Sequence, residues 1–153
     1  MKSSPKRTEQ VLSFLTLDQC ERANGLPGVA VQGVFTDAEF SVAGFRPNRA
    51  FVEFMHDVIR TTGPTDPSLE KAAAKQGNGW VYIIDMRTPE GPQGRVPVED
   101  IIGGFEVRDG RLLENSYQPN EKHRVLTSDG PVRLPSSLHA ALVRAALERG
   151  RPV

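Results

Sequence analysis

Apolar side chains recur along the chain with two distinct periods. Between Arg49 and Arg60, residues Phe51, Phe54, Met55, Val58 and Ile59 fall at i, i+3, i+4, i+7 and i+8, the stripe of a helix lying on a core. Asn48 stands where that helix needs an N-cap. Asp66 as N-cap, Pro67 at the first helical position and Gly77 at the end bracket a second helix, with Leu69, Ala72 and Ala73 facing inward. A C-terminal helix is predicted from Ser136 to Arg149, with Leu138, Ala141, Leu142 and Ala145 on one face and Gly150 as its stop. Residues 8–23 also read as helical, with Val11, Leu12, Leu15 and Gln19 on one side and Gly25 as cap.

The second period is that of strands. Gly28–Phe35 predicts a short one, followed by a turn or a single helical turn over Thr36–Phe40. Thr61–Pro67, with its glycine and two prolines, is expected to be a loop. Trp80–Met86 is β-branched and aromatic and bounded by Gly79 and Pro89, as a buried strand would be, and Ile101–Val107 is a second strand. Asp109-Gly110, before Leu112 and Leu113, is the signature of a type I′ hairpin. No internal repeat is evident. Helices early, strands in the middle and a helix last predict an α+β fold rather than alternating βαβ units.

Composition narrows the functional classes. At 153 residues the chain is most simply one domain, able to bury about 70% of the surface its unfolded form exposes. It has no apolar run long enough to span a bilayer. The basic start, Met1 to Arg7, is not followed by an apolar signal-peptide core. A cytoplasmic protein, or one delivered by a route independent of a signal peptide, is therefore expected. Lysine plus arginine balance aspartate plus glutamate at 19 each, so the basic footprint of a nucleic-acid binder is missing. Cys20 is the only cysteine; it reads as a small buried hydrophobe, and neither a disulfide framework nor a cysteine zinc site can be built. His56, His123 and His139 are not at metal-ligand spacing, and no metal is expected. His56, on a helix face, is expected to be satisfied by a backbone carbonyl. Gly103-Gly104 inside a strand suggests a bulge or a close approach rather than a phosphate loop. Glu99 and Asp100, adjacent on an extended chain, would point to opposite faces as solvated charges.

The order of these pieces carries a resemblance. The strand ending in Val31-Gln32-Gly33, then Gly44-Phe45-Arg46-Pro47, the helix bearing His56, the pair Thr61-Thr62, the strand Trp80-Val81-Tyr82-Ile83-Ile84-Asp85 and the return Val96-Pro97-Val98-Glu99-Asp100-Ile101-Ile102-Gly103 follow one another along the chain. Together they resemble the ADP-ribosyltransferase domains of bacterial toxins of the cholera and pertussis type. The likeness spans residues 29–124. It implies a core there, with split antiparallel or mixed sheets around a cleft and flanking helices. Outside the likeness, residues 1–28 read as an N-terminal helical segment and residues 125–153 as a loop and helix packing on the same domain. It implies a mono-ADP-ribosyltransferase using NAD as substrate and a protein as acceptor. Glu90 would be the catalytic carboxylate, steadying the oxocarbenium-like centre formed as nicotinamide leaves, and Gln32, Gly33, Arg46, Thr61 and Thr62 would line the NAD pocket. Two signature groups differ: the family's arginine before the glycine is Gln32 here, which supplies no charge, and Glu90 lacks the family's paired Glu-x-Glu or Gln-x-Glu setting. The alternative is a non-enzymatic binding module, such as an immunity or accessory protein gripping a protein partner, which predicts a contiguous apolar patch on its surface. An unrelated α+β domain would present the same strand pattern.

Overall fold

The computed structural model of the chain describes residues 10–87 and 96–149. Among these the fold is mixed α+β, with antiparallel sheets and four α-helices. In chain order they are β1 (Gln10–Ser13), α1 (Leu17–Arg22), β2 (Val31–Phe35), β3 (Phe45–Pro47), α2 (Arg49–Thr62), α3 (Pro67–Gln76), β4 (Gly79–Ile84), β5 (Ile101–Arg108), β6 (Arg111–Leu112), β7 (Gln118–Pro119), β8 (Leu126–Thr127), β9 (Gly130–Pro131) and α4 (Ser136–Arg149). Residue contacts group these into two compact units, one running up to Phe54 and resuming at Val143, the other Met55–Leu142.

Helices α2, α3 and α4 form where the apolar stripes place them. Asp66 caps α3 by accepting from the Leu69 N–H at 3.1 Å. The predicted helix over residues 8–23 is corrected. Residues 10–13 pair with β2 as strand β1, and the helix begins only after Thr16, which shares a reciprocal capping box with Gln19. Backbone pairing with β2 overrides the weak helical spacing of Val11 and Leu12. The expected strand over Gly28–Phe35 is a 3₁₀ turn, Gly28–Ala30, leading into β2, and the expected loop at Thr61 is the last turn of α2. Gly150, the expected stop for α4, lies outside the described residues.

In the first unit β1, β2 and β3 form an antiparallel sheet. Phe35 and Phe45 pack with ring centroids 5.1 Å apart, Phe14 lies 5.8 Å from Phe51, and the Arg149 guanidinium sits 5.3 Å over the Phe54 ring. In the second unit β5 is the spine, pairing with β4 on one side and with β6 and β7 on the other. Its inner face buries Phe105 against Tyr117, centroids 5.0 Å apart, and Met55, Ile59, Ile83 and Leu138 are buried in the same unit. The Asp109-Gly110 turn has positive φ at both residues, as a type I′ turn requires.

Contrary to the sequence reading, the two sheets repeat one motif. Pro27 leads into the 3₁₀ turn before β2, and Pro97 leads into a 3₁₀ turn, Val98–Asp100, before β5. Asn48, following β3, donates through Nδ2 to the carbonyls of Gly28 (3.2 Å) and Val31 (2.8 Å). Asn120, following β7, donates in the same way to Val98 (2.8 Å) and Ile101 (2.7 Å). The backbone N–H of Asn48 reaches the Gln32 carbonyl, and that of Asn120 the Ile102 carbonyl. Gly33 stands opposite Pro47, and Gly103 opposite Pro119. A register skip leaves Gln32 as the extra residue opposite Leu12/Ser13, and Ile102 as the extra residue opposite Ile83/Ile84, the signature of a β-bulge. A Cβ on Gly33 would overlap the Phe45 ring, and one on Gly103 the Tyr117 ring. Phe45-Arg46-Pro47-Asn48 and Tyr117-Gln118-Pro119-Asn120 are thus the same device used twice.

Candidate functional site

The repeat is not symmetric in what it leaves exposed. On β4 the side chains of Trp80 and Tyr82, two apart, share the outer face, 37% and 55% exposed. Tyr82 stands opposite Gly104 in register, and a Cβ on Gly104 would lie 2.9 Å from its ring. Glycine therefore lets the phenol ring lie down on the strand. With Val98, Ile101, Gly103, Gln118, Pro119 and Asn120 these residues line an open groove of about 370 Å³. Its walls are aromatic and aliphatic and its floor is glycine backbone. Asn120 is spent on the carbonyls of Val98 in the 3₁₀ turn and Ile101 at the start of β5, whereas the exposed carboxamide of Gln118 has no hydrogen-bond partner among the described residues. A surface of this kind seats an apolar or planar group and offers one amide to orient it.

A second cluster lies at the end of β4. The Arg87 guanidinium donates Nε to Asp100 Oδ1 at 2.9 Å, Nη1 to the carbonyls of Val125 and Gly130, and Nη2 to those of Glu99 and Arg124. Every N–H of the fork is engaged. Asp85 Oδ1 accepts from the backbone N–H groups of Arg87 and Arg133, and Asp85 Oδ2 lies 3.0 Å from His123 Nε2 and 3.4 Å from Arg87 Nε. Asp85 and Asp100 are each 1% exposed. This corrects the expectation for Asp100: it lies not on an extended chain but at the end of a 3₁₀ turn, buried and paired with Arg87. His123, expected in a polar loop, has a buried side chain. Such a network carries structural weight: it ties the residue 85–87, 99–100, 124–125 and 130–133 segments together.

His56 is the third buried polar group. Its Nδ1 lies 2.7 Å from the Tyr117 hydroxyl, so the expected backbone carbonyl is replaced by a phenol. Burial, reinforced by neighbouring His123 and the Arg60 guanidinium, pushes His56 down to about 4; burial pushes Tyr117 up. Both are neutral near pH 7, and the Arg60 guanidinium lies 5.5 Å over the Tyr117 ring. Cys20, expected to be buried, is half-buried. Among the described residues no group of His, Cys, Asp and Glu could hold a metal ion, and no helix is long and apolar enough to cross a membrane.

The candidate NAD-pocket residues distribute as follows. In the first unit Gln32 is the buried bulge residue of β2, 2% exposed, and its carboxamide has no hydrogen-bond partner among the described residues. Gly33 clears space for the Phe45 ring, and Arg46 is exposed on β3 opposite Val34. In the second unit Thr61 and Thr62 stand on a helix, where their hydroxyls donate to the carbonyls of Asp57 and Val58 at 2.8 and 2.7 Å. Glu90 lies outside the described residues. Arg87 and the groove residues Val98 and Gln118 escaped sequence reasoning. The one available signal was the recurrence of aromatic-x-Pro-Asn at Phe45 and Tyr117.

No family model, no curated protein and no solved structure matches the chain.

Proposed function

We propose that the chain is a non-enzymatic protein-recognition module whose docking surface is the outer face of β4, β5 and β7. One observation carries this reading: Trp80, Tyr82 and Val98 stand exposed around a groove of about 370 Å³ floored by Gly103 and Gly104. Exposed aromatic side chains grouped around a concave apolar surface are the composition of interface centres, where Trp and Tyr bury large area at little conformational cost. Among the described residues the groove lining carries no carboxylate, imidazole or thiol, so those residues offer binding without an acid, base or nucleophile. NAD-linked transfer with Glu90 as carboxylate is the competing reading and rests on the motif resemblance.

Two measurements separate them. Isothermal titration with NAD is expected to give no saturable heat, in the wild type or in Gln32→Arg. A photo-crosslinking amino acid at Val98 is expected to give discrete protein adducts in cells, and the same group at exposed Lys75 on α3 none. Saturable NAD binding weakened by Glu90→Ala or Thr62→Ala would replace this reading with the transferase.

A further inference from the structure

The edge of the same sheet, as distinct from its face, points to a second copy of the chain. On β5 the Ile102 carbonyl accepts from Asn120, the Glu106 N–H donates to Ser116 Oγ, and the Glu106 carbonyl accepts from Leu113. The even-numbered backbone groups of β5 therefore face β6 and β7, and the odd-numbered ones face β4. In the observed register, with Val107, Phe105 and Gly103 opposite Gly79, Val81 and Ile83, the β4 ladder runs through residues 79, 81 and 83. The N–H and C=O groups of Trp80 and Tyr82 point the other way. They have no hydrogen-bond partner among the described residues. Beyond the bulge the edge closes, because the Met86 N–H is bonded to the Arg133 carbonyl.

Natural edge strands are guarded by lysine, proline or an inward charge. Gly79–Ile84 has none of these. We infer that β4 pairs antiparallel with β4 of a second copy about a two-fold axis at Val81, so that Trp80 stands opposite the partner's Tyr82. This register uses the edge groups of Trp80 and Tyr82: each Trp80–Tyr82 pair exchanges both of its hydrogen bonds. It also lays Trp80 against the partner's Tyr82 on one face, a favourable cross-strand aromatic pair. The interface is isologous, as two-fold symmetry demands. A formal net charge of zero leaves no long-range repulsion between copies. The two outer faces become one continuous aromatic surface and both grooves stay open, so the inference does not depend on the recognition reading.

A short ladder makes a weak dimer, so the test is sedimentation equilibrium over a concentration series from about 10 μM to about 1 mM. The wild-type mass is expected to rise from 16.8 kDa toward twice that value. Tyr82→Pro removes an edge N–H without touching the ladder to β5 and is expected to remain monomeric. W80K/Y82K, which sets lysine opposite lysine, is expected to do the same, whereas W80K/Y82E sets lysine opposite glutamate and is expected to restore the dimer. Circular dichroism reports that each variant is folded. A wild type that stays at 16.8 kDa throughout, or a dimer that survives W80K/Y82K, overturns the inference and leaves the NAD and crosslinking results to decide the recognition reading.

Discussion

The sheet of the first unit and the sheet of the second share a bulge, a 3₁₀ lead-in and an asparagine clamp, and they differ in the side chains hung on that frame. Val11 stands opposite Val34 in the first; Tyr82 stands opposite Gly104 in the second. Arg46 occupies the place that Gln118 takes on β7, and Gly28 the place of Val98. A groove thus arises in one copy by removing a side chain from the strand floor and laying an aromatic ring beside it. The shared features hold backbone in place; the differing ones decide what the surface can bind.

The largest expected effect breaks the comparison from the second unit's side. Arg87→Ala leaves Asp85 and Asp100 buried without their cation and strips partners from the carbonyls of Glu99, Arg124, Val125 and Gly130. Removing one member of a buried ionic network costs about 3–5 kcal/mol, and urea unfolding is expected to show a loss of that size. A change under 1 kcal/mol would mean that the network is not the anchor described.

The next effect turns on Tyr117, whose counterpart in the first unit is Phe45. Burial holds His56 near 4 in the folded chain, while an unfolded histidine titrates near about 6.5, so the unfolded state takes up the proton first. The stability tied to His56 is fully present above pH ~6.5 and is lost as pH falls toward about 4, by about 3 kcal/mol in all. Arg60 and His123 add to the cost of the charge, and Asp57 opposes it. Melting followed between pH 7.5 and 4.5 is expected to show this slope in the wild type and to lack it in His56→Gln.

The smallest effect sharpens the equivalence itself. Asn48→Ala and Asn120→Ala each free one carbonyl of a 3₁₀ turn and one at the start of the strand that follows it, a loss of about 1–3 kcal/mol. Equal losses within about 0.5 kcal/mol support a shared device. A cost confined to one asparagine would make the likeness one of shape alone.

Sequence reasoning reached the elements whose signals are local. The α2 stripe, the Asp66 cap with Pro67, the C-terminal helix and the Asp109-Gly110 turn each depend on a few neighbouring residues, and each stands in the structure. Strand β1 was missed because four residues paired only to β2 have no periodicity to read. The repeat was missed because its identities are sparse and its meaning lies in register. Arg87 was missed because its partners are mostly backbone carbonyls, which every residue possesses. The groove was legible only as a hint, the Gly103-Gly104 pair read as a close approach; which rings approach it depends on pairings many residues away.

The asparagine clamp has a further consequence, for the order in which the chain folds. Each copy closes on itself: Pro27 to Asn48 and Pro97 to Asn120 hold the turn, the bulged strand, the covering ring and the clamp within a short stretch. Short loops close at low entropic cost, and contacts close in sequence form before distant ones. Each clamp is therefore expected to be a separate place for structure to begin, and φ-values near about 1 at both Asn48 and Asn120 would show two nuclei rather than one.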